Sequence, residues 1–175
     1  PKRQTASGGF DILSHIMETY FSKTDDDNVS DDISEALMRS VIRNLPAVLK
    51  NPEDYTSRSN LMWASTMAEN RIIKLGKVCD FQAHQIEHQL GAYCNHGCGL
   101  AVIHPPYYRY IYKNGIDKFV RFAVNVWNVS PDGKSAEETA LEGIQALAEF
   151  IKEIGLPTTL RELGVTDKNI LSEVA

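Results

Sequence analysis

Apolar side chains recur at three- and four-residue spacing along this chain, and no useful length alternates apolar with polar residues as a half-buried strand does. Phe10, Leu13, Ile16, Met17 and Tyr20 predict a helix over residues 10–21, Ile33, Leu37, Val41 and Leu45 a second, and Leu61, Ala64, Ala68 and Ile72 a third ending towards Gly76. Helical pattern continues from Asp80 through Tyr93 and from Ile116 to Trp127. After the capping-box sequence Ser135-Ala136-Glu137-Glu138 it runs along Leu141, Ile144, Leu147, Ala148 and Ile151 up to Gly155. The expected fold is all-α, one helical bundle over residues 1–175.

Local breakers set the expected joints. Gly8-Gly9 reads as a break before the first helix, Ser30 or Asp31 as the cap of the second, Pro46 as a kink or restart, and Asn51-Pro52 as a turn. Thr24 to Asn28 is a solvated acidic connection without a calcium-loop pattern. His96-Gly97-Cys98-Gly99 reads as a bend, Pro105-Pro106 as a bend or stop, and Asp132-Gly133 as a turn. Thr159 to Leu163 is a short segment stopped by Gly164, and Thr166-Asp167 starts a last helical turn. Trp63, Met67 and the run Tyr107, Tyr108, Tyr110 and Tyr112 are expected to pack in or against the core.

A chain of 175 residues, 43% hydrophobic and 23% charged, can bury a core without staples. Its net charge of -5 and the lack of a Lys/Arg stripe argue against a nucleic-acid partner. No apolar run approaches the roughly 20 residues that cross a bilayer, so no membrane insertion is expected. Cys79, Cys94 and Cys98 are odd in number and lack framework spacing, which favours the reducing cytoplasm. Cys94 and Cys98 flank His96 and read as bystander thiols rather than soft ligands. The start Pro1-Lys2-Arg3-Gln4 has no initiator methionine and reads as part of a longer chain.

Chemistry concentrates between His84 and Gly99, which hold three of the five histidines. Read literally, His84-Gln-Ile-Glu87-His88 is the inverted zinc-peptidase pattern, two histidines for zinc and a glutamate for water, with Glu142 as the ligand still needed. A second arrangement draws on the first helix, where Asp11 and His15 stand four apart on one face, although Asp11 alone would also complement the helix dipole. With His84 and His96 they offer one carboxylate and three imidazoles, a set suited to divalent iron or zinc. His88 then lies near the reacting centre, free to orient substrate or pass a proton. A third reading is a helical interaction module with structural histidines, which predicts no convergence of Asp11, His15, His84 and His96.

Two separate stretches resemble one family. Gln4-Thr-Ala-Ser-Gly-Gly-Phe-Asp11-Ile-Leu-Ser-His15-Ile-Met-Glu-Thr-Tyr20, and the run from Asp80 through His84, His88 and His96-Gly97-Cys98-Gly99-Leu100-Ala101-Val102 to Pro105, are similar to the iron-containing (group III) alcohol dehydrogenases, in their butanol-dehydrogenase-like branch. The resemblance implies the helical C-terminal domain of the dehydroquinate synthase-like fold, with Asp11, His15, His84 and His96 as ligands of Fe2+, Zn2+ or Ni2+ and His88 beside the nicotinamide and substrate. It implies NAD(P)H as coenzyme, small alcohols and aldehydes as substrates, and a homodimer as candidate assembly. The family's dinucleotide-binding domain and extreme C-terminus fall outside this chain; Gly8-Gly9 does not replace the pyrophosphate loop because no strand precedes it. Alone, the chain is expected not to transfer hydride. Its connection from His88 to His96 is shorter than the family's, so His96 is the ligand whose reach the structure must decide.

Overall fold

Helix α1, Lys2–Tyr20, is buried on most of its circumference in the computed structural model, with Phe10, Leu13, Ile16, Met17 and Tyr20 fully enclosed. The structure describes residues 1–23, 29–79, 81–90 and 94–166. Around α1 stand α2 (Val29–Lys50), α3 (Tyr55–Glu69), α4 (Gln82–His88), α5 (His96–Ile111), α6 (Ile116–Trp127) and α7 (Ala136–Glu153), with 3-10 turns at Ile72–Lys74 and Tyr112–Gly115. Among the described residues the only β feature is an isolated bridge between Lys23 and Val78. The all-α expectation holds.

The main core joins α1, α2, α3, α5, α6 and α7 through residues such as Leu45, Leu100, Phe122 and Ile144, each worth roughly 1.5–3 kcal/mol on burial. Helix α4 contributes nothing to it. Its Ala83 sits instead in a small satellite cluster with Leu90, Ile103 and Val165. So few apolar contacts hold seven residues helical only weakly, and polar contacts to α1 and α5 add to them.

Several boundaries differ from expectation. Gly8 and Gly9 lie inside α1: a Cβ on Gly9 would stand 2.3 Å from the Leu45 side chain, so that glycine permits the α1–α2 approach rather than breaking the helix. Ser30 and Asp31 lie in the first turn of α2 instead of capping it; Ser30 donates to the Leu75 carbonyl, and Asp31 pairs with Lys77 and Lys118. Helix α2 continues through Pro46, and α5 through Pro105 and Pro106. His96 is the first residue of α5, not part of a bend, and a Cβ on Gly97 would stand 2.1 Å from the Ser7 carbonyl oxygen, where α5 meets α1. Of the helix expected over Asp80 to Tyr93, the described residues show Gln82–His88; residues 80 and 91–93 lie outside the described set.

Helix α6 spans the expected residues, and α7 carries the full capping box between Ser135 and Glu138. Trp63, expected in the core, is 66% exposed on α3, and Met67 is half-buried. Of the tyrosines, Tyr108 and Tyr112 are buried whereas Tyr110 faces solvent. The acidic connection at 24–28 and the last turn from 167 lie outside the described residues. No described helix is long and apolar enough to cross a membrane.

Candidate metal centre

Asp11 and His15 stand one turn apart on α1, His84 lies on α4, and His96 heads α5. The Asp11 Oδ1 atom is 3.6 Å from His15 Nε2, 3.6 Å from His84 Nε2 and 3.5 Å from His96 Nε2, while His15 Nε2 and His84 Nε2 are 3.2 Å apart. Ligands of a tetrahedral site at about 2.0–2.1 Å stand about 3.3–3.4 Å from each other, so these separations suit one ion. Asp11, His15 and His84 form the tighter set, and His96 joins it through Asp11. Asp11 Oδ1 is buried without a hydrogen-bond partner, a costly state that a cation relieves. Residues 91–93 of the connection before His96, expected to be short, lie outside the described set, and His96 Nε2 stands 3.5 Å from Asp11 Oδ1.

Each histidine presents its other ring nitrogen to a carboxylate. His84 Nδ1 meets Glu18, His96 Nδ1 meets Glu87, and His15 Nδ1 stands 2.6 Å from Glu69 Oε1, off the axis of a hydrogen bond. Glu18 also accepts from the backbone N–H of Ala83 at 2.6 Å and of His84 at 3.2 Å, and so caps α4, whose residue Phe81 enters at φ 52° and offers no side-chain cap. A bulky residue at positive φ is strained. Phe81 is held there between the rings of His15 and His84, with Lys74 over its face.

Burial raises the Asp11 carboxyl, but the surrounding His84, His15 and His96 outweigh it and hold Asp11 below its ordinary value. Burial likewise opposes the proton on His84, yet Asp11 and Glu18 push that group up to about 9. His15 is lowered by burial and by His84, against the pull of Asp11 and Glu69. Behind the cluster His104 of α5 is fully enclosed, 2.6 Å from Ser14 Oγ, and burial pushes it down to about 4. His104 is therefore neutral.

His88 is exposed and stacks on His96 with ring centroids 5.7 Å apart. Two clefts meet at Asp11 and Gly8. One, of 570 Å³, is lined by polar residues including Gln4, Ser7, Asn95 and His96; the other, of 550 Å³, includes Ile12, Leu61 and Met62.

Residues 5–175 match the Fe-containing alcohol dehydrogenase family, C-terminal. The chain belongs to this family. It is 40% identical over 174 residues to NADH-dependent butanol dehydrogenase B of Clostridium acetobutylicum, covering 97% of this chain and 44% of that relative. It is 32% identical over 172 residues to the NADPH-dependent aldehyde reductase YqhD of Escherichia coli, covering 97% of this chain and 44% of the relative. The chain thus spans less than half the length of these curated relatives. In structure it superposes on NADH-dependent butanol dehydrogenase A from Thermotoga maritima with a TM-score of 0.92 at 33% identity, over 99% of this chain and 44% of the other. On the substrate- and cofactor-free E. coli aldehyde reductase the TM-score is also 0.92, at 31% identity over 99% of this chain and 47% of the other.

Within this chain the peptidase motif loses its parts. Glu87 is committed to His96, and Glu142, the ligand the motif lacked, pairs with Lys134 on the α7 side. Neither Cys94 nor Cys98 joins a metal-holding cluster among the described residues. The sequence reading does not reach Glu18, Glu69 and Glu87 as partners of these histidines. Glu18 carries a signal, since it follows Asp11 by seven residues on the same helix face; Glu69 carries none.

Proposed function

We propose that Asp11, His15, His84 and His96 hold a divalent metal, Fe2+ first with Zn2+ or Ni2+ also suited, and that residues 1–175 are the metal- and substrate-binding part of an NAD(P)-dependent alcohol dehydrogenase. In this reading the intact enzyme interconverts primary alcohols and aldehydes by hydride transfer. The observation that carries it is the approach of three imidazole nitrogens to one unpartnered buried carboxylate oxygen, Asp11 Oδ1. Family membership supports the coenzyme, since the similar butanol dehydrogenase is named for NADH and the aldehyde reductase for NADPH.

The bound ion would supply Lewis acidity to the substrate oxygen. The chain's own residues divide the remaining work. Ile12, Leu61 and Met62 offer the alkyl part of a small alcohol an apolar wall, and Gln4, Ser7 and Asn95 offer a polar one. His88, exposed and stacked on His96, is the residue we assign to the nicotinamide and substrate side, where it orients the substrate or passes its proton. Three free thiols support a reducing, cytoplasmic setting. The apolar face of α3 carrying exposed Tyr55, Met62 and Trp63 supports a homodimer as part of the reading.

The test is metal analysis of the chain beside its His84→Ala variant, with coenzyme-linked alcohol oxidation measured on the full-length gene product. One ion per chain, lost in the variant together with alcohol-dependent coenzyme reduction, is expected. Retention of metal by His84→Ala would remove the ligand assignment.

A further inference from the structure

We propose that Glu18, Glu69 and Glu87 are the positioning residues of this centre, and that the sequence builds the arrangement from a repeated unit, His-x-x-Glu. The proposal rests on the ligand set assigned above. The unit occurs as His15-Ile-Met-Glu18 on α1 and as His84-Gln-Ile-Glu87 on α4. Spacing of three keeps both side chains on one side of the helix. In each unit the histidine is a ligand, and the glutamate serves a histidine on another helix rather than its own.

The pairings form a line. Glu69 of α3 meets His15 of α1, Glu18 of α1 meets His84 of α4, and Glu87 of α4 meets His96 of α5. No ligand histidine is steered from its own helix. An imidazole with only one nitrogen fixed can rotate about χ1 and χ2, and a carboxylate on Nδ1 removes that freedom and leaves Nε2 aimed inward. Here the three carboxylates are held by three different helices, so the Nε2 atoms converge only when α1, α3, α4 and α5 are packed as observed. Glu87 can take its place because α5 has glycine at position 99, where a Cβ would stand 2.6 Å from Glu87 Cγ.

The three links are unequal. The side chains of Glu18 and Glu87 are 3% and 1% exposed, whereas that of Glu69 is 54% exposed and its contact with His15 is poorly aligned. Water weakens the third link, so the two dry ones dominate the aim of the site.

Zinc serves as the probe because it is diamagnetic. Its affinity is read by chelator competition, and the histidine Nδ1–H protons by NMR, in the unaltered chain and in Glu87→Asp, Glu87→Gln, Glu18→Gln and Glu69→Asp. Aspartate keeps the charge but withdraws it by one methylene; glutamine keeps the reach and an acceptor oxygen. Positioning predicts that Glu87→Asp loses roughly 10–100-fold in affinity, with Glu87→Gln nearer the unaltered chain, as outer orienting residues do elsewhere. It also predicts that Glu87→Asp and Glu69→Asp each shift or lose the Nδ1–H signal of their own histidine alone, with Glu69→Asp losing only a few-fold in affinity, whereas Glu18→Gln, which also touches the α4 cap, shifts that of His84 first. Circular dichroism confirms helicity first, and the half-exposed Glu69 gives an arm that does not depend on a buried substitution. Unaltered affinity and signals in Glu87→Asp and Glu69→Asp overturn the positioning roles while leaving the ligand set standing. So does loss in Glu87→Gln with none in Glu87→Asp, which would mark a general charge effect. No zinc uptake by the unaltered chain sinks the ligand set itself and the positioning roles with it.

Discussion

Glu18 of α1 accepts a 2.6 Å hydrogen bond from the backbone N–H of Ala83 and thereby ends one helix's side-chain face on another helix's first turn. Because α4 reaches only the satellite apolar cluster, this contact is a main support of its seven residues. Glu18→Ala leaves buried donors unpaired at about 1–3 kcal/mol each. Urea denaturation should show that loss, and hydrogen exchange should show α4 amides opening before those of α1; equal protection of both helices would contradict it.

Glycines 8 and 97 should respond in opposite directions to alanine. A Cβ at Gly97 meets the Ser7 carbonyl at 2.1 Å, backbone against backbone, so neither side can give way cheaply. Gly97→Ala should cost about 1–3 kcal/mol or more. At Gly8, exposed inside α1, nothing lies within 4 Å, and Gly8→Ala should add about 0.5–1 kcal/mol by lowering the entropy of the unfolded chain. Thermal midpoints of the two variants check both signs.

His104 gives the fold an acid limit. Its ring titrates near 6.5 in the unfolded chain and at about 4 when folded, because burial opposes the charge more than Glu18 favours it. Between those values the unfolded chain binds more protons, so stability rises with pH and falls as the solution is acidified from 6.5 towards 4. His104→Gln should flatten that part of the stability profile measured in denaturant. A profile parallel to the unaltered chain's would refute the assignment.

Ser135 accepts from the Glu138 N–H at 3.2 Å, and the Glu138 side chain accepts from the Ser135 N–H at 2.8 Å. Ser135→Ala removes half of this reciprocal cap at the start of α7 and should cost about 1 kcal/mol, seen as a lower urea midpoint at an unchanged slope.

What was legible in the sequence follows from where each feature's cause lies. Helices α6 and α7 are bounded by local chemistry, Asn128 in a left-handed conformation and the Ser135 box, and their limits could be read from neighbours in sequence. The starts of α1 and α5 could not. Gly9, Gly97 and Gly99 look like breakers, but their causes are Leu45, Ser7 and Glu87, contacts between elements distant in sequence or across a turn. The same division applies to the site. Asp11, His15, His84 and His96 declare themselves by residue type and spacing, with the family resemblance choosing among the readings. The glutamates beside them show only in part: Glu18 and Glu87 follow His15 and His84 at His-x-x-Glu spacing, but which histidine each one meets is set by helix packing, and Glu69 on α3 has no sequence relation to His15 at all.

The contrast between the two tryptophans has an optical consequence. Trp63 is 66% exposed on α3, so in an isolated protomer its indole emits from water and changes little when that protomer unfolds. Trp127 lies against Phe122 and Phe150, with ring centroids 6.0 and 5.8 Å away. A red shift on denaturation therefore reports the α6–α7 side of the core, and a change in Trp63 emission without that shift reports an event at the solvent face of α3.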